Sequence, residues 1–320
     1  MRAMESNWDV VIVGGSAAGL SAGLMLARSR RRVAIVDAGV PRNRFAAHMH
    51  GVLGHDGKPP QELVAAGRRE VERYGGIIID ATVTGAVRSG DTFAVTTDGR
   101  EIMNARRLIV ATGLRDELPE VDGLREQWGK GVVSCPYCDG YENRDKRIGI
   151  LGTSAFSLHQ VQLLRQWSPN TTYFVHMLEA PNADERRALE ARGIAIENGI
   201  VTKICSDEGG RLTGLELADG RHIGVDVIFI TPRPVPLDGV LGQLGADVTE
   251  SPFGRFVTVD PTYKTSIPGV WAAGNVTDAV ANVPVSMGAG SFAGVAVNAD
   301  LITEDIVWAV RDYSKRMQLA

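Results

Sequence analysis

The chain has 320 residues, 44% of them hydrophobic, enough for one large or two medium domains with a sizeable core. With 34 Lys and Arg against 38 Asp and Glu, the net charge is −4, which argues against nucleic acid or an anionic membrane surface as partner. Three cysteines make no secreted disulfide framework, the chain opens without an apolar signal segment, and no apolar run is expected to approach the ~20 residues of a membrane span; a cytoplasmic location follows as the expectation.

Trp8-Asp9-Val10-Val11-Ile12-Val13 predicts a buried parallel strand. Gly14-Gly15-Ser16-Ala17-Ala18-Gly19 follows, then an apolar helix from about Ala17 to Ala27 and a second strand from Arg32 to Val36, ending at Asp37-Ala38. This is a dinucleotide fingerprint in its required context. Gly14 permits the tight turn, Ser16 replaces the second glycine yet still lets a backbone approach a pyrophosphate, and Gly19 lets helix and strand pack closely. Asp37, 18 residues past Gly19, is placed to accept from a ribose hydroxyl and repels a 2′-phosphate, so the reading is FAD or NAD. The basic turn Ser29-Arg30-Arg31-Arg32 reads as solvated.

Residues 45–60 form a loop carrying His48, His50 and His55, followed by a helix near Glu62–Tyr74. Three histidines without acid or cysteine partners at fixed spacing make a weak metal signal; His48 or His50 is a candidate to assist proton transfer. Leu108 to Val110 is a strand running into the small-residue turn Ala111-Thr112-Gly113. Cys135-Pro136-Tyr137-Cys138, followed by Asp139-Gly140-Tyr141-Glu142, is the most specific motif. Two cysteines at this spacing close a small redox-active disulfide ring. Pro136 suits a first helical position with Ser134 as cap, which puts Cys135 at the positive end of a helix dipole. Zinc wants about four ligands, whereas Cys205 stands alone and no second pair exists, so no metal is expected.

A second strand-turn-helix starts at Arg147-Ile148-Gly149-Ile150-Leu151-Gly152, but its turn reads Thr153-Ser154-Ala155-Phe156-Ser157, with only the first glycine kept. The next strand, from Thr172, leads into His176-Met177-Leu178-Glu179. Near the C-terminus, Val270-Trp271-Ala272-Ala273-Gly274-Asn275 is a further strand-turn, with Asp278 in the same turn. Asn282-Val283-Pro284-Val285 precedes a small-residue helix from Gly288 to Leu301, and the tail from Trp308 reads as helical.

Glycine loop, ATG strand, CxxC-Asp and AAG strand in this order resemble the low-molecular-weight thioredoxin reductase family, over roughly residues 8 to 305. The resemblance implies an α/β fold of two Rossmann-like three-layer domains. The FAD domain is discontinuous, 1–116 and 246–320, and a second dinucleotide-fold domain, 117–245, is inserted and carries the cysteine pair. It implies FAD held by Gly14, Ser16, Ala17, Ala18, Gly19, Asp37, Ala38, Ala111, Thr112, Gly113, Gly274, Asn275, Asp278, Asn282 and Val283. Asn275 stands where the family usually has an acid, so its contact to the flavin's sugar-alcohol chain is altered. By position, Cys138 faces the flavin, Cys135 attacks the substrate disulfide, and Asp139 is the general acid/base. The family is homodimeric.

A reductase of this family binds NADPH through a GxGxxA turn and a basic HRRxxxR element. Here Ser154 and Phe156 crowd the turn, the three arginines are absent, and Glu179 adds a repelling charge. Two lost charge-assisted hydrogen bonds amount to roughly 3–6 kcal/mol, about a hundredfold to ten-thousandfold in affinity. The loss resembles the dithiol oxidases of gliotoxin and holomycin biosynthesis, which pass electrons to oxygen, and the reductases that draw on ferredoxin. Asn275 and Thr231-Pro232-Arg233-Pro234 fall on the oxidase side. Asp139, where those oxidases have histidine, falls on the reductase side. The leading expectation is an NADPH-independent dithiol oxidase; the alternatives are a reductase for thioredoxin or a similar disulfide and a flavin-based redox sensor.

Overall fold

The computed structural model describes residues 7–318. They fall into two compact units, one built from the chain up to Arg42, Gln61–Arg115 and Pro234 onward, the other from Asn43–Pro60 and Asp116–Arg233. The loop between the first Rossmann unit and the following helix thus belongs with the cysteine-bearing unit, and residues 234–245 belong with the glycine-turn unit.

In the first unit, β1 (Asn7–Val13), α1 (Ala17–Arg28) and β2 (Val33–Asp37) form the expected strand-turn-helix-strand. Val10, Val11 and Ile12 are fully buried because both faces of the sheet are covered. After α2 (Pro60–Arg73) and β3 (Ile77–Asp80), a meander of β4 (Val83–Ser89), β5 (Thr92–Thr97) and β6 (Ile102–Val110) extends the sheet. The strand order is β3-β2-β1-β6-β5-β4. Pairing is parallel from β3 to β6 and antiparallel beyond it.

The chain leaves through β7 (Leu114–Glu117) and runs through α3 (Leu124–Gln127), β8 (Val132–Val133) and α4 (Pro136–Asp139). There follow β9 (Ile148–Leu151), α5 (Ser157–Leu164), β10 (Thr171–Phe174), α6 (Ala183–Ala191) and β11 (Ala195–Glu197). A meander of β12 (Val201–Ser206), β13 (Leu212–Leu217) and β14 (His222–Ile223) precedes β15 (Val227–Phe229). The parallel sheet is ordered β11-β10-β9-β15-β8. One face packs Leu151, Phe174 and Ile228 against Ile204, Leu215 and Leu217 of the meander. The other packs Ile150, Tyr173 and Phe229 against Val161 and Leu164 of α5 and Leu189 of α6. The second unit is therefore a three-layer sandwich, meander on sheet on helices.

The return strand β16 (Arg233–Pro236) pairs with β7. Then α7 (Gly239–Leu244) packs on β4, where Gln243 Oε1 accepts from the Ala86 N–H at 3.2 Å. A hairpin of β17 (Val248–Ser251) and β18 (Gly254–Val257) leads to β19 (Val270–Ala272), which pairs in parallel with the last residues of β6.

The chain ends in α8 (Val283–Gln318), one unbroken helix of 36 residues where the sequence predicts a helix from 288 to 301 and a separate helical tail. It also corrects the expectation that no apolar run approaches a membrane span. An 18-residue window of α8 has mean hydropathy 1.3 and is long and apolar enough by length and composition alone. The apolarity has a packing cause. Gly290 and Gly294 lie against the α1 backbone at Ala18 and Ala22, so a Cβ on Gly290 would run into the Ala18 carbonyl. The far half of α8 is fastened by charge: Arg106 Nε reaches Glu304 at 2.9 Å, and Arg31 Nη1 reaches Asp305 at 2.6 Å.

Candidate active site and cofactor cradle

Cys135 and Cys138 form a disulfide. The helix cap differs from the expectation. Pro136 does occupy the first turn of α4, but the N-cap is Cys135 itself, whose Sγ accepts from the Cys138 N–H at 3.2 Å. Ser134 does not cap: its carbonyl accepts from Gln160 Nε2 at 2.7 Å, because the β-region backbone required of a cap falls one residue later. The redox turn is braced from behind. Tyr137 meets Trp167 edge-on at 6.1 Å, and a Cβ on Gly140 would approach the Trp167 ring to 2.9 Å.

Asp139 closes α4, and its carboxyl is pushed up to about 6. Burial is the main cause, the neighbouring charge of Glu142 adds to it, and His50 opposes it. His50 comes from the 43–60 loop, which closes on itself. Met49 N–H donates to the Lys58 carbonyl at 2.9 Å, Gly57 N–H returns to Met49 at 2.9 Å, and Gly51 N–H donates to Asp56 Oδ1 at 2.8 Å. Gly51, Gly54 and Gly57 all have positive φ, which is why the loop is glycine-punctuated. Met49 and Val52 are buried beneath it, and His50 is left with Nδ1 at 3.5 Å from Asp56 and Nε2 at 3.6 Å from Glu142. His48 is exposed. Glu142, Asp56 and Trp167 were not singled out as functional from sequence; Glu142, four residues past Cys138, was the one with a local signal.

In the other unit, the glycine turn has the shape a dinucleotide needs. Gly14 has φ +104, and its N–H donates to the Val36 carbonyl at 2.8 Å. Cβ atoms on Gly14 and Gly19 would run into the Ala111 and Gly14 carbonyls. Asp37 Oδ1 accepts from the N–H groups of Gly15 at 3.1 Å and Gly39 at 3.2 Å, and Arg68 Nη1 lies 3.4 Å from Oδ2. The carboxylate thus stands beside the turn at the end of β2, Ala38 following it. Ser16 begins α1 without any side-chain cap bond, so the helix-start N–H groups at Ala17, Ala18 and Gly19 are not covered by a hydroxyl. Ala111-Thr112-Gly113 follows β6 directly, with Thr112 Oγ1 donating to the Leu237 carbonyl at 2.7 Å. Gly274 sits against Ala18. The amide of Asn275 is engaged locally, donating to the carbonyls of Asp278 at 2.8 Å and Ala281 at 2.9 Å. Asp278 Oδ1 accepts from Val280 N–H at 2.9 Å, and Asn282 Oδ1 accepts from Val285 N–H at 3.1 Å, capping α8 at Val283. The cradle residues therefore come together at one end of the first sheet, as a dinucleotide requires.

The second strand-turn-helix is built differently. Ser157 Oγ accepts from the N–H groups of Thr153 at 3.2 Å and Ser154 at 3.3 Å, and Ser154 Oγ accepts from the Phe156 N–H at 3.2 Å. The donors that an anion would use are taken by the turn's own hydroxyls. His176 has φ +54 and is buried, its Nδ1 accepting from the Val201 N–H at 3.0 Å, whereas Met177 is 77% exposed.

The pyridine nucleotide-disulphide oxidoreductase model matches residues 8–290. The chain belongs to that family. It is 31% identical over 328 residues to a thioredoxin reductase, sirT, of Leptosphaeria maculans, covering 96% of this chain and 98% of that one. Among solved structures, HlmI aligns at 44% identity with a TM-score of 0.92, covering 97% of this chain and 98% of that chain. An oxidoreductase from Agrobacterium tumefaciens aligns at 40% identity with a TM-score of 0.88, over 93% of this chain and 99% of that one. The protein is a thioredoxin reductase-like flavoprotein oxidoreductase acting on sulfur groups. Within the family's two-domain α/β fold, it pairs an open glycine turn in one unit with a self-closed turn in the other.

Proposed function

We propose that the protein is an FAD-dependent thiol-disulfide oxidoreductase that oxidises dithiols without NADPH and passes the electrons to molecular oxygen. The contrast between the two turns carries this reading: bare helix-start donors beside Asp37 in the first unit, donors satisfied by Ser154 and Ser157 in the second. The Gly14–Gly19 cradle, where a Cβ on Gly14 or Gly19 would run into backbone, fits the FAD pyrophosphate, and Asp37 fits its ribose. Ala111 to Gly113, Gly274, Asn275, Asp278 and the capped start of α8 at Asn282-Val283 complete the site. Bound FAD supplies the two-electron acceptor that restores the disulfide, oxygen leaving as hydrogen peroxide.

The chain's own residues carry the sulfur chemistry. A substrate thiolate attacks Cys135 Sγ, forming a mixed disulfide and expelling Cys138 as a thiolate. The substrate's second thiolate then attacks its own sulfur in that mixed disulfide, releasing Cys135. The substrate leaves as a disulfide and the cysteine pair is reduced by two electrons. Asp139, with its carboxyl near 6, takes up and returns the thiol protons. Tyr137, 74% exposed, and Tyr141 give the substrate an aromatic surface beside the pair. We assign a cytoplasmic homodimer, in which a second copy covers the exposed α8 face of Phe292, Val295, Ile302, Ile306 and Val310.

The test is anaerobic absorbance of the flavin band with a small dithiol and NADPH supplied separately. Bleaching by the dithiol alone, reversed by air with one peroxide per turnover, is the expected result. Fast bleaching by NADPH overturns the reading of Ser154, Ser157, Met177 and Leu178. Unchanged dithiol oxidation by Cys138→Ser overturns the role of the pair. One observation favours a second reading, a reductase for a thioredoxin-like protein: Asp139 follows the motif as it does in thioredoxin reductases. NADPH bleaching coupled to reduction of a thioredoxin disulfide would establish it.

A further inference from the structure

The 43–60 loop presents a histidine to the redox turn within one compact unit, a juxtaposition of residues roughly 90 apart in sequence that only the fold creates. His50 stands between two carboxylates, with Nδ1 at 3.5 Å from Asp56 and Nε2 at 3.6 Å from Glu142. An imidazolium carries two N–H donors and can serve both at once, whereas a neutral ring can serve one. The loop is built to fix this ring, through the Met49–Lys58 bridge, the buried Met49 and Val52, and the Gly51 N–H on Asp56 Oδ1. Glu142 lies one turn beyond Asp139, and the side chain of Asn143 donates to the Asp139 carbonyl at 2.8 Å, holding that turn against α4.

We propose that His50 is a positioning residue that sets the proton affinity of Asp139, its ring held by Asp56 and Glu142 beside the redox-active turn. The proposal rests on Asp139 being the proton acceptor for the thiols. The charged groups facing Asp139 are Glu142, which resists its ionisation, and His50, which favours it. From α5, which packs on α4, the titratable side chain is His159, and it is exposed. The arrangement has a chemical consequence. Each thiol-disulfide exchange releases or consumes thiol protons, and an acceptor at 3.8 would be too weak a base to hold one near neutrality. Burial and the Glu142 charge together would drive Asp139 higher still; His50 opposes them and keeps its midpoint within reach of both protonation states.

The experiment is a carbon-13 NMR titration of the Asp139 carboxyl in the oxidised holoenzyme, assigned by its loss in Asp139→Asn, with the pH profile of dithiol-driven flavin bleaching beside it. In His50→Gln the Asp139 midpoint rises by about half a pH unit or more, as expected for removing one nearby charge from a partly buried site. The low-pH limb of the bleaching profile moves up with it. His50→Lys, which keeps a cation, restores the midpoint, and His48→Gln leaves it unchanged. An Asp139 midpoint that stays put in His50→Gln overturns the proposal, as does a rise that His50→Lys fails to reverse. Should Asp139→Asn leave the bleaching profile intact, the assignment of Asp139 as base fails instead, a result distinguishable because the NMR midpoint is read without turnover.

Discussion

Asp139 is held in a place where its charge is unwelcome, and Asp139→Asn removes that cost. Its carboxyl rises from 3.8 to about 6, chiefly through burial and then through Glu142. A shift of about two pH units, at about 1.4 kcal/mol per unit, is worth roughly 3 kcal/mol, and partial solvent contact reduces this to about 1–2 kcal/mol. The sign follows from linkage. The folded midpoint lies above the unfolded one, so the folded state binds the proton more tightly. The penalty is therefore absent below pH ~4, grows as pH rises, and is complete above pH ~6. Asp139→Asn should stabilise the oxidised protein by about 1–2 kcal/mol at pH 7.5 and by close to nothing at pH 4, while slowing dithiol oxidation about a hundredfold or more. The assay is urea unfolding of wild type and variant at both pH values, read by tryptophan fluorescence. A stability difference of the same size at both pH values would refute the reasoning, since it would come from packing and not from the carboxyl's charge.

Gly19→Ala places a Cβ against the Gly14 carbonyl oxygen, where the backbone of the cradle cannot yield without losing its turn. The purified variant should carry less than about a tenth of the wild-type flavin, read from the ratio of visible to ultraviolet absorbance, and lose about 2–4 kcal/mol of stability. Arg106→Ala removes the guanidinium shared by Glu304, Asp305 and Asp9, and also the cation stacked over Trp308 at 4.4 Å. It should cost about 1–2 kcal/mol and speed amide hydrogen exchange in the half of α8 beyond Leu301, with exchange around the Cys135–Cys138 turn unchanged.

Much of this molecule was legible in short stretches of chain. A strand of Val and Ile, six small residues, an apolar helix and an acid at the end of the next strand specify their local geometry through nearest-neighbour sterics, so the Gly14 turn and its Asp37 partner stand where their spacing put them. The Cys-Pro-Tyr-Cys turn is likewise local, since Pro136 and a ring of four residues fix it. What the sequence could not supply were the long-range closures. Asn275 spends its amide on its own turn and not outward, Ser157 reaches back to silence the donors of Thr153 and Ser154, and α8 runs on as one helix because α1 offers it a seam of small residues and Arg106 a charged anchor. Between His48 and His50 of the 43–60 loop the sequence offered no choice. Folding buries Met49 and Val52 together, leaves His48 in solvent, and brings His50 against Glu142, because a loop's contacts are chosen by the surface it closes on and not by the spacing of its residues.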